Sequence, residues 1–487
     1  MVMTDLGQAP LAEAVARYAK DKVTRFHMPG HKGGTGASPE ALAILGRRAF
    51  ELDITGVEGL DDLLQPTGVI REAEELLARA FGADASYFLI NGTSSGLQAL
   101  ILGTVGPGEE IIVPRNMHKS MVSGVILSGA RPVFVTPEVD REQGIALGVT
   151  PEKVEEALVA HPKAKAVLLI SPTYYGVTSD LAAIAALVHK RGLPLLIDEA
   201  HGPHFYFHED LPPGALRQGV DACAQGAHKI LCSLTQSSWL HVKGERVDRG
   251  RLRAVLGVIL STSASYLLMA SLDLARQQMV RDGRAILTRT LELAERLRNG
   301  VRRLPGLTTF GREYCSRAGA VDLDLTKVTV SVKGLGITGQ QAELYLRYEH
   351  GIQVELSDLY NVLFIVGPGT TEEDVERLLK ALAELVRENT ARAVRQIGVD
   401  ALPPIPRQVI TPREAFFAPA DTVPLVAAKG RISMETVTCY PPGIPILCPG
   451  EEVTPEIIEH IEFMKENGYR IQGPQDGGLT RLRVVKE

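Results

Sequence analysis

Residues 164–202 read AKAVLLISPTYYGVTSDLAAIAALVHKRGLPLLIDEAHG, and this stretch decides the fold. Two short apolar runs, AKAVLLISP and LPLLIDE, flank a helical pattern, LAAIAALVHKRG, that stops at a glycine. Consecutive apolar positions over so short a length suit a strand buried on both faces. A strand, a helix and a second strand in that order form a crossover, and crossovers lay strands parallel. The same texture extends from about residue 70 to about residue 260. ASYFLI, EEIIVP and RPVFVTP read as further strands. REAEELLARAFGA, SSGLQALILGTV and TPEKVEEALVA read as helices. The expectation is an α/β fold on a mainly parallel sheet.

On the N-terminal side, residues 1–50 predict a helix from Leu11 to Lys20, a Gly/His-rich loop (HMPGHKGGTG) and a helix near Glu40. On the C-terminal side, a long helical stretch begins near Leu267. It is followed by strand signals (AVDLDLTKVTVSV, IQVELS, NVLFIVG) and a helix, TEEDVERLLKALAELVRENT. A Pro-rich break, ALPPIPRQVITP, starts at Ala401, and TPEIIEHIEFMKENG predicts one more helix. The expected organisation is an N-terminal segment (1–50), a large domain (51–270), a small α/β domain with its linking helix (271–400) and a C-terminal domain (401–487). At roughly 150 residues per domain, 487 residues allow about three folding units.

Composition excludes several classes. The net charge of −6 leaves no basic footprint for nucleic acid or an anionic membrane. The five cysteines (Cys223, Cys232, Cys315, Cys439 and Cys448) are odd in number and form no CxxC pair, which argues against a disulfide framework and against structural zinc. No metal is expected. The first 20 residues lack the apolar core of a secretory signal. No apolar run approaches the roughly 20 residues that span a bilayer. A soluble, cytoplasmic protein is the expectation.

Ligands of open parallel sheets bind beyond the carboxyl ends of the strands, and four polar clusters fall there. NGTSSG (91–96) follows a strand and opens a helix, whose N–H groups could hold a phosphate; a plain N-cap by Thr93 or Ser94 is the alternative. IDEAHGPH puts Asp198 directly after LPLLI. A buried carboxylate needs a cation or donors, and a protonated heterocyclic nitrogen is one such cation; otherwise it caps the next turn. RNMHKS puts His118 after IIVP, where it stacks on a planar ligand or is a surface residue. GAHKIL places Lys229 beside apolar residues. Held out of water, a lysine loses proton affinity and its amine can form a Schiff base. Together, in this order, they describe a pyridoxal phosphate (PLP) site.

The chain resembles the fold-type-I, PLP-dependent family of ornithine, lysine and arginine decarboxylases. The resemblance is carried by FHMPGHKGG (26–34), LDDLLQPTGVIREAEELLARAFGA (60–83), NGTSSG, RNMHKS (115–120), SPTYYGV (171–177), IDEAHGPHF (197–205), AHK (227–229), STSASYLLMASLD (261–273) and YPPGIPILCPGEE (440–452). It implies a mainly parallel seven-stranded sheet in the large domain, a smaller α/β domain and a C-terminal appendage. It implies that Lys229 binds the cofactor aldehyde, His118 stacks on the ring and Asp198 pairs with the pyridinium, with His201 close by. Thr93, Ser94, Ser95 and His228 would hold the phosphate. Two departures stand out. The family often has Ser-x-His-Lys, and here the serine position is Gly226, so one phosphate hydrogen bond is missing or supplied elsewhere. The chain also starts almost directly at FHMPGHK, so ring assemblies that need an N-terminal wing domain are not expected.

This fold hosts several chemistries. Transaminases of this type usually clamp the substrate carboxylate with an arginine in a strand before the last small-domain helix. The comparable stretch, Leu359 to Val375, has no arginine, which favours decarboxylation. The reaction expected is PLP-dependent decarboxylation of a basic amino acid, arginine to agmatine before lysine or ornithine, for polyamine biosynthesis. An aminotransferase and a catalytically silent PLP-binding protein are the alternatives. Glu435 is the expected receptor for the distal cation, with Asp61 and Asp62 as others unless they serve helix entry. At least a homodimer is expected, with the site near the interface. STSASY (261–266) either reaches across it or caps the helix that follows.

Overall fold

A computed structural model of the chain describes residues 5–21, 23–389, 403–440, 443–466 and 469–486. The expected boundary between residues 400 and 401, the start of the Pro-rich break at Ala401, and Pro441 and Pro442 of the YPPGIP motif lie outside the described residues. Seven strands form the main sheet: β1 (Ala85–Leu89), β2 (Glu110–Pro114), β3 (Arg131–Val135), β4 (Ala166–Ile170), β5 (Leu195–Asp198), β6 (Ala222–Gln225) and β7 (Ser238–Val242). Their order is β1-β7-β6-β5-β4-β2-β3. β5 and β6 pair parallel, as do β2 with β3 and β2 with β4, while β7 runs antiparallel between β1 and β6. The sheet is therefore mostly parallel. Each strand that the apolar runs predicted is present. β6 and β7 were not legible as runs.

The chain forms two compact units, neither continuous in sequence. The first comprises residues 1–104 and 196–287. Its helix Val69–Phe81 turns Ile70, Ala73, Leu77 and Phe81 inward and ends on Gly82, whose φ of +67° allows the left-handed cap. The helix Gly92–Thr104 follows β1. At Gly96 a Cβ would lie 2.7 Å from Leu89 Cδ1 and 3.0 Å from Ala224 Cβ, so the glycine permits the helix to lie close on the sheet. β7 is buried at every position, with Trp239 and His241 against Phe81. The long helix Tyr266–Val301 starts in this unit and ends in the other.

The second unit comprises residues 105–195 and 288–487. It carries a four-stranded antiparallel sheet: Thr308–Thr309, Lys327–Ser331, Asn361–Ile365 and Leu356–Ser357, in that order. Helices Gly339–His350 and Glu372–Asn389 accompany it. Val328, Val330, Leu346, Val362 and Leu382 share one buried core with Leu297 and Val301 of the long helix. A separate core gathers Leu425 of the short 3-10 turn Leu425–Ala428 with Val437 and Leu482 of the C-terminal strands and Ile457 and Ile461 of the helix Pro455–Glu466. Among the described residues no helix is long and apolar enough to cross a membrane, and no group of three His, Cys, Asp or Glu side chains could hold a metal ion.

Candidate active site

Lys229 lies on one turn of helix, Ala227–Ile230, entered directly from β6 through Gly226. Its Nζ is 3.0 Å from His201 Nε2. His201 is buried in the turn that leaves the neighbouring parallel strand β5, and Asp198, also buried, is the last residue of that strand. Asp198 Oδ1 accepts the Ala200 N–H at 3.1 Å. The backbone ties the two strand ends together as well, since the Gly226 N–H donates to Ala200 O at 3.1 Å. The glycine in place of the family's frequent serine has a steric correlate. A Cβ at position 226 would lie 2.9 Å from Ala200 O and 3.0 Å from Lys229 Cδ.

The NGTSSG loop opens the helix Gly92–Thr104, with Gly92 at φ +73°. Its three hydroxyls differ. Thr93 is buried and hydrogen-bonds Ser238 Oγ at 3.0 Å, and Ser95 donates to Gly92 O at 2.8 Å. Ser94 is exposed at the helix N-terminus, where N–H groups and the helix dipole favour an anion. His228 Nδ1 lies 2.8 Å from Ser237 O and must donate to it, so donation from Nε2 as well requires the protonated ring. A helix N-terminus with a free hydroxyl, a lysine and a buried strand-end carboxylate in this one unit is a donor set that fits PLP.

His118 belongs to the second unit. It N-caps the helix Lys119–Ser128, its Nδ1 accepting the Ser120 N–H at 3.3 Å and pairing with Ser120 Oγ at 2.7 Å. Three residues earlier, Arg115 is buried and grips Glu451 with two guanidinium nitrogens, at 2.5 and 2.9 Å. Its Nε donates to Pro445 O at 2.7 Å. The RNMHKS and CPGEE motifs are thus one fastening, a link that the motifs by themselves did not disclose.

Glu435 is buried in the second unit. Its oxygens accept the N–H groups of Gln475 and Arg483 at 2.7 and 2.9 Å. Asp61 serves helix entry: it accepts N–H groups from Asp62, Thr67, Gly68, Ile70 and Arg71. Burial pushes its carboxyl up, but the donors at Thr67, Asp62, Gly68 and Arg71 outweigh that and hold it below the ordinary value. Asp62 Oδ1 accepts the Leu64 N–H at 2.9 Å. In STSASY, Ser265 Oγ accepts the Leu268 N–H and Tyr266 Oη donates to Asp61 O at 2.5 Å.

Sequence reasoning gave Glu199 no role. It is buried and accepts from Ala215 N–H (2.7 Å), Gln225 Nε2 (2.7 Å) and Tyr206 Oη (3.0 Å), with the Cys223 thiol a further donor. Gln225 Oε1 meets His241 Nε2 at 3.0 Å, and His241 Nδ1 meets Ser86 Oγ at 2.7 Å. Burial pushes Glu199 up to about 7 and His241 down to about 3. The available signal was an acidic residue next to Asp198 that must face away from it, because successive strand residues point to opposite faces.

Comparison with known proteins places these features in context. The family description "Orn/Lys/Arg decarboxylase, major domain" matches residues 9–322, and "Orn/Lys/Arg decarboxylase, C-terminal domain" matches residues 397–474. An arginine decarboxylase of Bacillus subtilis is 43% identical over 481 residues, covering 99% of this chain and 98% of that protein. One from Halalkalibacterium halodurans is 44% identical over 481 residues, with the same coverage of 99% and 98%. The crystal structure of the Francisella novicida lysine decarboxylase LdcF superposes with a TM-score of 0.85 at 23% identity, covering 98% of this chain and 81% of that one.

Proposed function

The chain belongs to the Orn/Lys/Arg decarboxylase family, and from that premise we propose that it is a PLP-dependent carboxy-lyase converting arginine to agmatine. Lysine and ornithine come next as substrates. The observation that carries the reading is the Lys229–His201 contact of 3.0 Å beside buried Asp198, at the ends of adjacent parallel strands. Arginine is first because the relatives at 43–44% identity over nearly the whole chain are arginine decarboxylases.

Lys229 would bind the cofactor aldehyde, and Asp198 would hold the proton on the ring nitrogen. His118 would stack on the ring, and Thr93, Ser94, Ser95 and His228 would hold the phosphate. Bound there, PLP supplies the electron sink that makes loss of carbon dioxide from Cα accessible. Lys229 Nζ and His201 Nε2 share a hydrogen bond, and either can return a proton to Cα. A Cβ at position 226 would press on both Ala200 O and the Lys229 stem, and glycine leaves both undisturbed. Glu435 is the proposed receptor for the distal guanidinium. A carboxylate offers about four acceptor sites, so two backbone donors leave room for a third partner. The working form is proposed to be at least a homodimer in the cytoplasm, its product serving polyamine formation.

A single panel tests the reading. Purified protein with PLP is given arginine, lysine or ornithine, and agmatine, cadaverine and putrescine are quantified. Agmatine should dominate. Lys229→Ala should abolish turnover and the visible absorbance of the bound cofactor; retention of both would end the proposal.

A further inference from the structure

We propose that Glu199 is a positioning residue for the decarboxylation: its buried carboxylate gathers donors from separate chain segments and so fixes the strand end carrying Asp198 and the turn carrying His201 against the strand that delivers Lys229. The inference rests on the functional reading above and adds a residue to it.

Three observations carry it. The first is placement. Glu199 follows Asp198, and its side chain leaves the opposite face. Its backbone also belongs to the site, since the Glu199 N–H donates to Ala224 O on β6 and Glu199 O accepts the Gly202 N–H that closes the DEAHG turn. The second is packing. A Cβ at Gly202 would lie 2.6 Å from Glu199 Cγ, so the motif glycine makes room for the folded-back glutamate. A Cβ at Gly214 would likewise strike the Tyr206 ring at 2.3 Å, so a second glycine makes room for one of its donors.

The third is the sense of the hydrogen bonds. Buried His241 is neutral, so it carries one N–H. The Ser86 hydroxyl donates to Nδ1, and Nε2–H donates to Gln225 Oε1. The Gln225 amide group then donates to Glu199 Oε2. Ala215 N–H and Tyr206 O–H point at the same carboxylate, and Tyr206 Oη in turn accepts the Leu216 N–H. Every arrow ends on Glu199. An ionised carboxylate satisfies all of these donors at once, whereas an amide of the same shape cannot, because half of it is itself a donor. Gln225 stands four residues before Lys229, and Glu199 two before His201. A slip in this knot therefore reaches the amine and the imidazole directly.

Isosteric exchange separates positioning from mere space-filling. The holoenzyme is assayed on arginine at pH 8 as wild type, Glu199→Gln, Gln225→Glu and the double exchange. Glu199→Gln should lower kcat at least tenfold with KM changed less than twofold, and should alter the visible absorbance of the bound cofactor. In the double exchange the new amide can donate to the new carboxylate, which can still accept His241 Nε2–H, and kcat should return to within about threefold of wild type. Tyr206→Phe removes one donor and keeps the ring on Phe81; it should lower kcat about threefold and decides the matter should Glu199→Gln not fold. Wild-type kcat and absorbance in Glu199→Gln, no recovery in the double exchange, or wild-type kcat in Tyr206→Phe would each overturn the role. A wild type that binds cofactor and releases no carbon dioxide from any basic amino acid would overturn the functional reading instead, and the absorbance of the variants would still test Glu199.

Discussion

His241 shows how one buried residue links the sheet to pH. It has no exposed surface, its ring stacks on Phe81 at 4.5 Å, and burial pushes it down to about 3 from an ordinary 6.5. A histidine lowered in the folded state contributes stability above its unfolded value and loses it as pH falls. The window runs from pH 6.5 down to about 3, and within it each pH unit costs about a factor of ten in the unfolding equilibrium. Glu199 and Glu74 have the opposite sign. Burial raises both to about 7, so their contribution is full below the ordinary carboxyl value of 4.5 and is lost as pH rises toward 7. Total stability therefore mixes the signs, and a variant isolates the contribution of one group. Asn at position 241 keeps a donor and an acceptor but does not titrate. The stability of wild type relative to His241→Asn should be level above pH 6.5 and fall with acidification below it, as read by urea unfolding from pH 4 to 8. A difference that stays constant across that range would show that the buried ring does not titrate on unfolding.

At the level of elements, the second unit depends on a charged joint. Arg115 directly follows β2 and Glu451 lies in the segment after the strand Ile444–Leu447, and both are almost wholly buried. The guanidinium also faces the Phe134 ring at 4.6 Å, and Glu451 accepts the Cys448 N–H at 2.7 Å. Removing one member of such a pair leaves the other charged and unpaired in a dry site. Arg115→Ala should cost about 3–5 kcal/mol, whereas an apolar pair of similar volume, Arg115→Met with Glu451→Leu, should recover most of it. Denaturant unfolding of the three proteins measures this, and equal losses in the single and double variants would contradict it. The RNMHKS motif is thus partly structural: its arginine fastens a distant segment, while its histidine caps the helix Lys119–Ser128 with an exposed ring. Helix entry at Val69 works in the same way, since Asp61 gathers N–H groups that the helix start cannot pair internally.

For the whole molecule, the motif-bearing N-terminal segment leaves large apolar side chains uncovered. Phe26 is 94% exposed, Ile44 81% and Met28 66%. The proposed homodimer would give such water-facing groups a surface to be buried against. Sedimentation of the holoenzyme should give a dimer or larger species, and Phe26→Asp should weaken it at least tenfold with little effect on unfolding; a fully active monomer would remove the proposal. The sequence by itself determined an α/β architecture on a mainly parallel sheet. Periodicity and caps are encoded by residues close in the chain, so the strands β1 to β5, their helices and the order of the four polar clusters could be read directly. β6 escaped because ACAQ offers four small or polar positions without alternation, and it is a strand only because β5 and β7 pair with it. The site divides in the same way. Asp198 was visible as a carboxylate beyond an apolar run, Lys229 as a lysine beside apolar residues, and His201 through the family resemblance. Their 3.0 Å contact, the Glu199 network and the Arg115–Glu451 joint were not, because the partners stand 28, 26 and 336 positions apart. Hydrogen bonds of fixed direction between such residues exist only once the sheet has brought the segments together and taken their polar groups out of water.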